Sequence, residues 1–196
     1  MSVKVGQKVE NFKGTAVINQ EFKEISLDDY KGKYVVVFFY PLDFTFVCPT
    51  EILKFNELYP DFQNRNVEVI SVSTDSKFSH LAWKNTPIAN GGIGNIQYPM
   101  IADFTKKISD QFGVLVDESG VALRGTFLID KNGVLQHATI NNLDLGRNIH
   151  ETLRMVDALQ YTEEHGEVCP AEWESGETAL EPTQDGLKKF FSSYTY

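Results

Sequence analysis

Tyr34-Val-Val-Val-Phe-Phe-Tyr-Pro41, continued by Leu42-Asp-Phe-Thr-Phe-Val-Cys48 and then Pro49-Thr50-Glu51, joins an unbroken β-branched and aromatic run to the start of a helix. A run apolar at every position is the pattern of a strand covered on both faces. Proline is favoured at the first helical position, where its missing N–H costs nothing, so Pro49 reads as that position and Cys48 as the cap. Ile52, Phe55, Tyr59 and Phe62 recur at helical spacing, and Pro60 should kink or end the helix. The next strand-like run, Val67 to Ser73, closes a βαβ unit.

Working outward, Ser76 to Lys84 and Thr105 to Phe112 read as helices. Arg124 to Asp130 and Val134 to Ile140, joined through Lys131-Asn132-Gly133, read as a hairpin. Asn148 with Glu151 has capping-box spacing, and Ile149, Leu153 and Val156 follow on one helical face. An early βαβ unit, a late hairpin and a closing helix predict an α/β protein of thioredoxin-like fold, with a central mixed sheet flanked by helices and a C-terminal extension. The expected division is a domain over residues 1–160 and an arm over 161–196.

The chain has 196 residues, 42% of them hydrophobic, enough for one sizeable core. Its longest apolar run falls far short of the roughly 20 residues that span a bilayer, so a cytoplasmic protein without membrane contact is expected. Eighteen basic residues against 27 acids give a net charge of -9, which repels polyphosphate and argues against a nucleic-acid partner. Eight acids and no Lys or Arg lie between Glu163 and Asp185, and that acidic stretch holds one of the two cysteines, Cys169. Cytosolic thiols are kept reduced, so a transient catalytic disulfide is the better expectation than a permanent one.

Cys48 stands where backbone N–H groups and the helix dipole favour a negative sulfur. The dipole supplies only about 0.3 to 2 kcal/mol, so a cation is needed as well. The flanking ionisable residues, Asp43 and Glu51, are acids and oppose a thiolate. Four arginines are available: Arg65, Arg124, Arg147 and Arg154. Arg65 falls at the far end of the Cys48 helix and Arg154 inside a late helix. Arg124 opens a buried strand and Arg147 precedes a helix start, which makes these two the candidate cations. Thr45 occupies the place at which C-x-x-C would put a second thiol, so a local dithiol is impossible, and its hydroxyl can instead orient an oxygen-containing substrate. A Cys/His hydrolase would need a base such as His80 beside Cys48.

Together, Pro41-Leu-Asp-Phe-Thr45-Phe-Val-Cys48-Pro-Thr-Glu51, Arg124-Gly-Thr-Phe-Leu-Ile-Asp, Leu145-Gly-Arg147 and Gly166-Glu-Val-Cys169-Pro-Ala-Glu-Trp resemble the typical 2-Cys peroxiredoxins, including the peroxidase component of bacterial alkyl hydroperoxide reductase. The resemblance runs from about Val5 to Pro182. It implies a thiol peroxidase acting on hydrogen peroxide and alkyl hydroperoxides. Cys48 would be the attacking thiolate, Thr45 and Arg124 would align the peroxide, Pro41 would shield the site, and Glu51 and Arg147 would support the arginine. Cys169 of the partner subunit would resolve the Cys48 sulfenic acid to an intersubunit disulfide.

The resemblance further implies no metal, haem or flavin in this chain. Thioredoxin or a flavoprotein disulfide reductase would be the electron donor, and a homodimer would assemble into a decamer. A ring-forming holdase chaperone is the alternative function. Gly91-Gly92-Ile93-Gly94 resembles the loop associated with oxidation-sensitive members. The tail Lys188-Lys189-Phe190-Phe191 carries Phe in place of the associated tyrosine, so intermediate sensitivity to overoxidation is expected.

Overall fold

A computed structural model describes residues 3–192. Its elements run β1 (Lys13–Ile18), β2 (Glu21–Ser26), β3 (Tyr34–Phe39), α1 (Cys48–Glu57), α2 (Tyr59–Asn64), β4 (Val67–Ser73), α3 (Lys77–Asn85), β5 (Met100–Ala102), α4 (Lys107–Gln111), β6 (Leu115–Val116), β7 (Val121–Ala122), β8 (Arg124–Ile129), β9 (Leu135–Asn141), α5 (Ile149–His165) and α6 (Gln184–Ser192). Residue contacts divide the chain into two units between Ile149 and His150. The expected boundary after residue 160 falls inside α5.

In the first unit, seven strands form one mixed sheet in the order β2-β1-β5-β4-β3-β8-β9. β3 pairs in parallel with β4 and β4 with β5, while β3–β8, β8–β9, β1–β2 and β1–β5 are antiparallel. Every residue of β3 is buried, as its unbroken apolar run demands. Val35, Val37 and Phe39 face a core shared with Phe112, Phe127 and Ile129. Phe38 faces the other way, stacked on Phe55 of α1 at 4.0 Å and edge-on to Tyr98 at 5.7 Å. Aromatic pairs of this kind contribute about 0.5 to 1.5 kcal/mol beyond area burial. They lock the helix that begins at Cys48 onto the middle of the sheet.

Several expected boundaries move for identifiable reasons. α1 starts at Cys48, with Val47 as its cap, so Cys48 is the first helical residue and Pro49 the second. The helix breaks at Leu58, and Pro60 falls in the first turn of α2, where its missing N–H costs nothing. The helix expected from Thr105 begins only at Lys107, because Lys106 has φ 63° and the buried Asp103 carboxylate accepts the amides of Ile108 and Ser109 at 3.2 and 2.7 Å. The sequence pattern predicts no strand before Tyr34. β1 and β2 nevertheless form a hairpin whose two turn residues, Asn19 and Gln20, have φ of 45° and 72°, the left-handed pair of a tight turn.

The β8–β9 turn is held by Asp130, whose Oδ1 accepts the amides of Asn132 and Val134 at 2.8 and 2.9 Å and whose Oδ2 accepts Gln136 Nε2 at 2.8 Å. Gly133, at φ 80°, donates its amide to the Asp130 carbonyl at 2.9 Å. β9 is left as an edge strand.

The second unit is not a bare tail. Val168 and Leu180 form an antiparallel bridge, Trp173 is fully buried, and Arg154 Nη1 donates to the Trp173 carbonyl at 2.8 Å. Cys169 is half-buried on α5, its Sγ donating to the Ala158 carbonyl at 3.6 Å and lying 3.7 Å from Thr162 Oγ1. Phe190 meets Phe191 edge-on at 5.5 Å within α6 and lines a cavity with Tyr161 and Glu167.

Asp130→Ala removes three accepted hydrogen bonds at a buried turn. Its urea midpoint should fall by the equivalent of about 2 to 4 kcal/mol with an unchanged slope, read from equilibrium unfolding followed by tryptophan fluorescence.

Candidate active site

Cys48 is completely buried in the first turn of α1. The parallel β3–α1–β4 crossover places that turn beyond the carboxyl end of β3, the edge where open α/β sheets present their reactive groups. Here Pro49 carries no N–H and Thr50 donates its amide back to the Val47 carbonyl at 3.0 Å, so the helix acts on the sulfur through its dipole, which favours negative charge.

The required cation arrives from the antiparallel side of the sheet. Arg124, the first residue of β8, directs Nη1 to Cys48 Sγ at 3.4 Å and to Glu51 Oε2 at 2.7 Å, while its Nε donates to the Leu143 carbonyl at 2.7 Å. Arg147 donates its backbone amide and Nε to Glu51 Oε1, both at 2.9 Å, and its Nη2 to Oε2 at 2.8 Å. Its Nη1 reaches the Gly125 carbonyl at 2.8 Å, and the guanidinium lies 5.2 Å from the Phe38 ring centroid. Both arginines singled out for their scarcity therefore converge on the first turn of α1.

Glu51 changes meaning in this setting. As an isolated neighbour it opposes a thiolate, but here it is buried between two guanidinium groups, so the three side chains sum to one positive charge beside the sulfur. Burial raises its carboxyl, yet the hydrogen bonds and charge of Arg147, with the charge of Arg124, outweigh burial and hold it below the ordinary carboxylate range. Asp43, the other flanking acid, is engaged elsewhere. It accepts Tyr40 Oη at 2.8 Å and faces His80 Nδ1 at 2.8 Å, while its own amide donates to Asp75 Oδ2 at 2.9 Å.

Those bonds fix the segment between β3 and α1. Pro41 is buried within it, and Thr45 Oγ1 donates to the Leu42 carbonyl at 2.9 Å. With its proton committed to a carbonyl, the Thr45 oxygen is left as an acceptor, which narrows the donor-or-acceptor choice open at the sequence level. His80 is unsuited to act as a base for Cys48: both ring nitrogens are engaged, Nδ1 by Asp43 and Nε2 by the Ile101 carbonyl at 3.2 Å. Tyr40, Asp75 and the Leu143 carbonyl carry no motif signal, because their relation to the Cys48 segment exists only through the fold.

At the Gly91–Gly94 loop, Trp83 Nε1 donates to the Gly91 carbonyl at 2.8 Å, and a Cβ on Gly92 would collide with the Thr86 carbonyl. The loop is thus built against the end of α3.

Residues 5–138 match the AhpC/TSA family, and residues 158–193 match the C-terminal domain of 1-Cys peroxiredoxin. The chain belongs to the AhpC/TSA family, the peroxiredoxins. Human mitochondrial thioredoxin-dependent peroxide reductase is 55% identical over 187 residues, covering 95% of this chain and 73% of that protein. Peroxiredoxin-2 of Macaca fascicularis is 51% identical and covers 98% of both chains. Among solved structures, the reduced 2-Cys peroxiredoxin of Plasmodium vivax superposes with a TM-score of 0.94 at 46% identity, covering 96% of this chain and 98% of that one. AhpC of Enterococcus faecalis gives 0.81 at 41% identity, covering 87% and 100%. The thioredoxin-like mixed sheet and the 2-Cys resemblance are those of this family, and this peroxiredoxin is a thiol-dependent peroxidase.

Glu51→Gln leaves two buried guanidinium groups facing a neutral amide and should cost about 3 to 5 kcal/mol at pH 7. Because the folded carboxyl lies below its unfolded value of about 4.3, its contribution is present above that pH and lost as pH falls through the lower folded value. Urea midpoints of wild type and variant should therefore lie apart at neutral pH and converge in acid.

Proposed function

We propose that Cys48 is the peroxide-attacking thiolate, carried by one observation: Arg124 Nη1 stands 3.4 Å from the buried sulfur while Glu51 and Arg147 hold that guanidinium in place. The sulfur attacks one peroxide oxygen, an S–O bond forms as the O–O bond breaks, and two electrons pass from sulfur to the peroxide. The departing oxygen leaves as water or alcohol once it gains a proton, and Cys48 becomes a sulfenic acid. Arg124 donates toward the negative charge that spreads from sulfur to oxygen. Thr45 accepts a hydrogen bond from the peroxide hydroxyl, and Pro41, buried at the head of the same segment, keeps water from the sulfur. Glu51 and Arg147 position Arg124.

Cys169 of the partner subunit then condenses with the sulfenic acid, forming an S–S bond and releasing water. Thioredoxin is the favoured reductant, in keeping with the thioredoxin-dependent human relative. The edge of β9 suits pairing with a second copy, so a homodimer is the proposed unit, and five such dimers would make the decamer. Two free thiols that must be reset by a dithiol donor suit a reducing compartment, for which the cytoplasm is proposed.

Stopped-flow oxidation and non-reducing gels test these roles. Arg124→Gln should slow the first oxidation of Cys48 by about 10² to 10³, the usual consequence of losing one preorganised donor. After one equivalent of peroxide the wild type should run as a disulfide-linked dimer, whereas Cys48→Ser and Cys169→Ser should not. A linked dimer that survives either substitution contradicts the assigned pair.

A further inference from the structure

Cys48 is buried beneath the first turn of α1, whereas Cys169 is lodged on α5 with its Sγ 3.6 Å from the Ala158 carbonyl. Sulfurs joined in a disulfide sit about 2.05 Å apart. The resolving step therefore requires α1 to release Cys48, and whatever restrains α1 governs how soon a sulfenic acid meets a thiol rather than a second peroxide.

Three bonds tie α1 to α3 through the segment Ile96 to Tyr98. Lys84 of α3, buried, donates Nζ to the Ile96 carbonyl at 3.1 Å. The Gln97 amide donates to Asn56 Oδ1 at 2.8 Å. Tyr98, completely buried, donates Oη to the Ile52 carbonyl in the middle of α1 at 2.7 Å. The Tyr98 ring is wedged edge-on against Phe38 of β3 at 5.7 Å and Tyr59 of α2 at 5.9 Å. Phenylalanine would fill that space equally well, so packing does not call for the hydroxyl. What the hydroxyl adds is a bond to an α1 carbonyl, four residues beyond the sulfur-bearing position. Burial pushes the phenol well above its usual value, so the group remains a donor throughout the working pH range.

We propose that Tyr98 is a positioning residue that latches α1 in its folded form, and that this latch sets the rate at which Cys48 becomes available to the resolving thiol. The inference rests on the peroxidase reading of Cys48. In the latched state the sulfenic acid is exposed only to small peroxides: a second peroxide transfers oxygen to it, giving a sulfinic acid and water or alcohol. In the released state the Cys169 thiol attacks, giving a disulfide and water. Strengthening the latch favours the first outcome, and weakening it favours the second.

Tyr98→Phe in the full-length protein is the direct test, with Asn56→Ala as a second variant on a partly exposed face. Loss of one buried hydrogen bond should raise amide exchange in α1 of the reduced protein by about three- to tenfold. Disulfide formation after one equivalent of peroxide should accelerate by a similar factor, and the peroxide dose converting half of Cys48 to sulfinic acid should rise. The first oxidation of Cys48 should keep its wild-type rate. Unchanged α1 exchange overturns the latch, as does faster α1 exchange with an unchanged disulfide rate. Exchange that rises equally in α1 and in the central strands also overturns it, since that pattern reports general destabilisation. Failure of wild-type Cys48 to consume peroxide would strike the peroxidase reading alone, because amide exchange reports the latch without any turnover.

Discussion

One carboxylate, Glu51, is shared by two guanidinium groups inside the protein, and the geometry around the sulfur depends on it. Arg124 belongs to β8, Arg147 to the segment before α5, and Glu51 to the first turn of α1, so three separate parts of the first unit meet at two oxygens. Burying three charges is costly, and such a cluster is weak grounds for claiming net stability. What it provides is placement: remove the carboxylate, and two buried cations repel each other across the first turn of α1. Its remaining positive charge is balanced when the sulfur is a thiolate. The proposed oxidation to a sulfenic acid would remove that balance and so weaken one of the attractions that keep α1 seated.

A second polar cluster stands on the other side of the Cys48 segment. Asp43 holds Tyr40 and His80, and its amide is held by Asp75, which also accepts Ser73 Oγ at 2.8 Å. Burial, and then the charge of Asp43, raise the Asp75 carboxyl above its ordinary value. These residues do not reach the sulfur. They fix the path of the chain from Pro41 to Thr45, so the Thr45 hydroxyl and the Arg124 guanidinium are set by independent networks. That separation would allow the proposed acceptor and donor for a peroxide to be placed without competing for the same partners.

The parts of this arrangement that were legible in sequence are those with local or compositional signatures. β3 announces itself by six consecutive apolar residues, and the β8–β9 turn by Asp130 and Gly133. With only four arginines in the chain, Arg124 and Arg147 could be chosen by elimination. β1 and β2 escaped because most of their positions are exposed or half-buried, which blurs the alternation that marks a strand. β5, three residues long, offers too little pattern to read. On local grounds alone Glu51 reads only as an acid opposing a thiolate, since the arginines that neutralise it lie 73 and 96 positions away. Tyr98 carried no signal at all: its role is a hydrogen bond to a backbone carbonyl, and any residue supplies a carbonyl.

Two opposed demands meet at Cys48. Attack on peroxide favours a dry, preorganised site, because an N–H donor aimed at sulfur is worth more where water is excluded. The proposed resolution by Cys169 would demand that the same site open. In the proposed scheme different bonds would serve each demand: Arg124 reaches the sulfur, while Tyr98 and Asn56 bond to the body of α1 further along. Bonds of the second group can be altered without touching the reacting atoms. Cys169 is under matching restraint, with Ala158 and Thr162 holding its sulfur against α5. The proposed Cys48–Cys169 disulfide would therefore require two releases, one at α1 and one at α5, and the slower of them would set the time during which a sulfenic acid is open to a second peroxide.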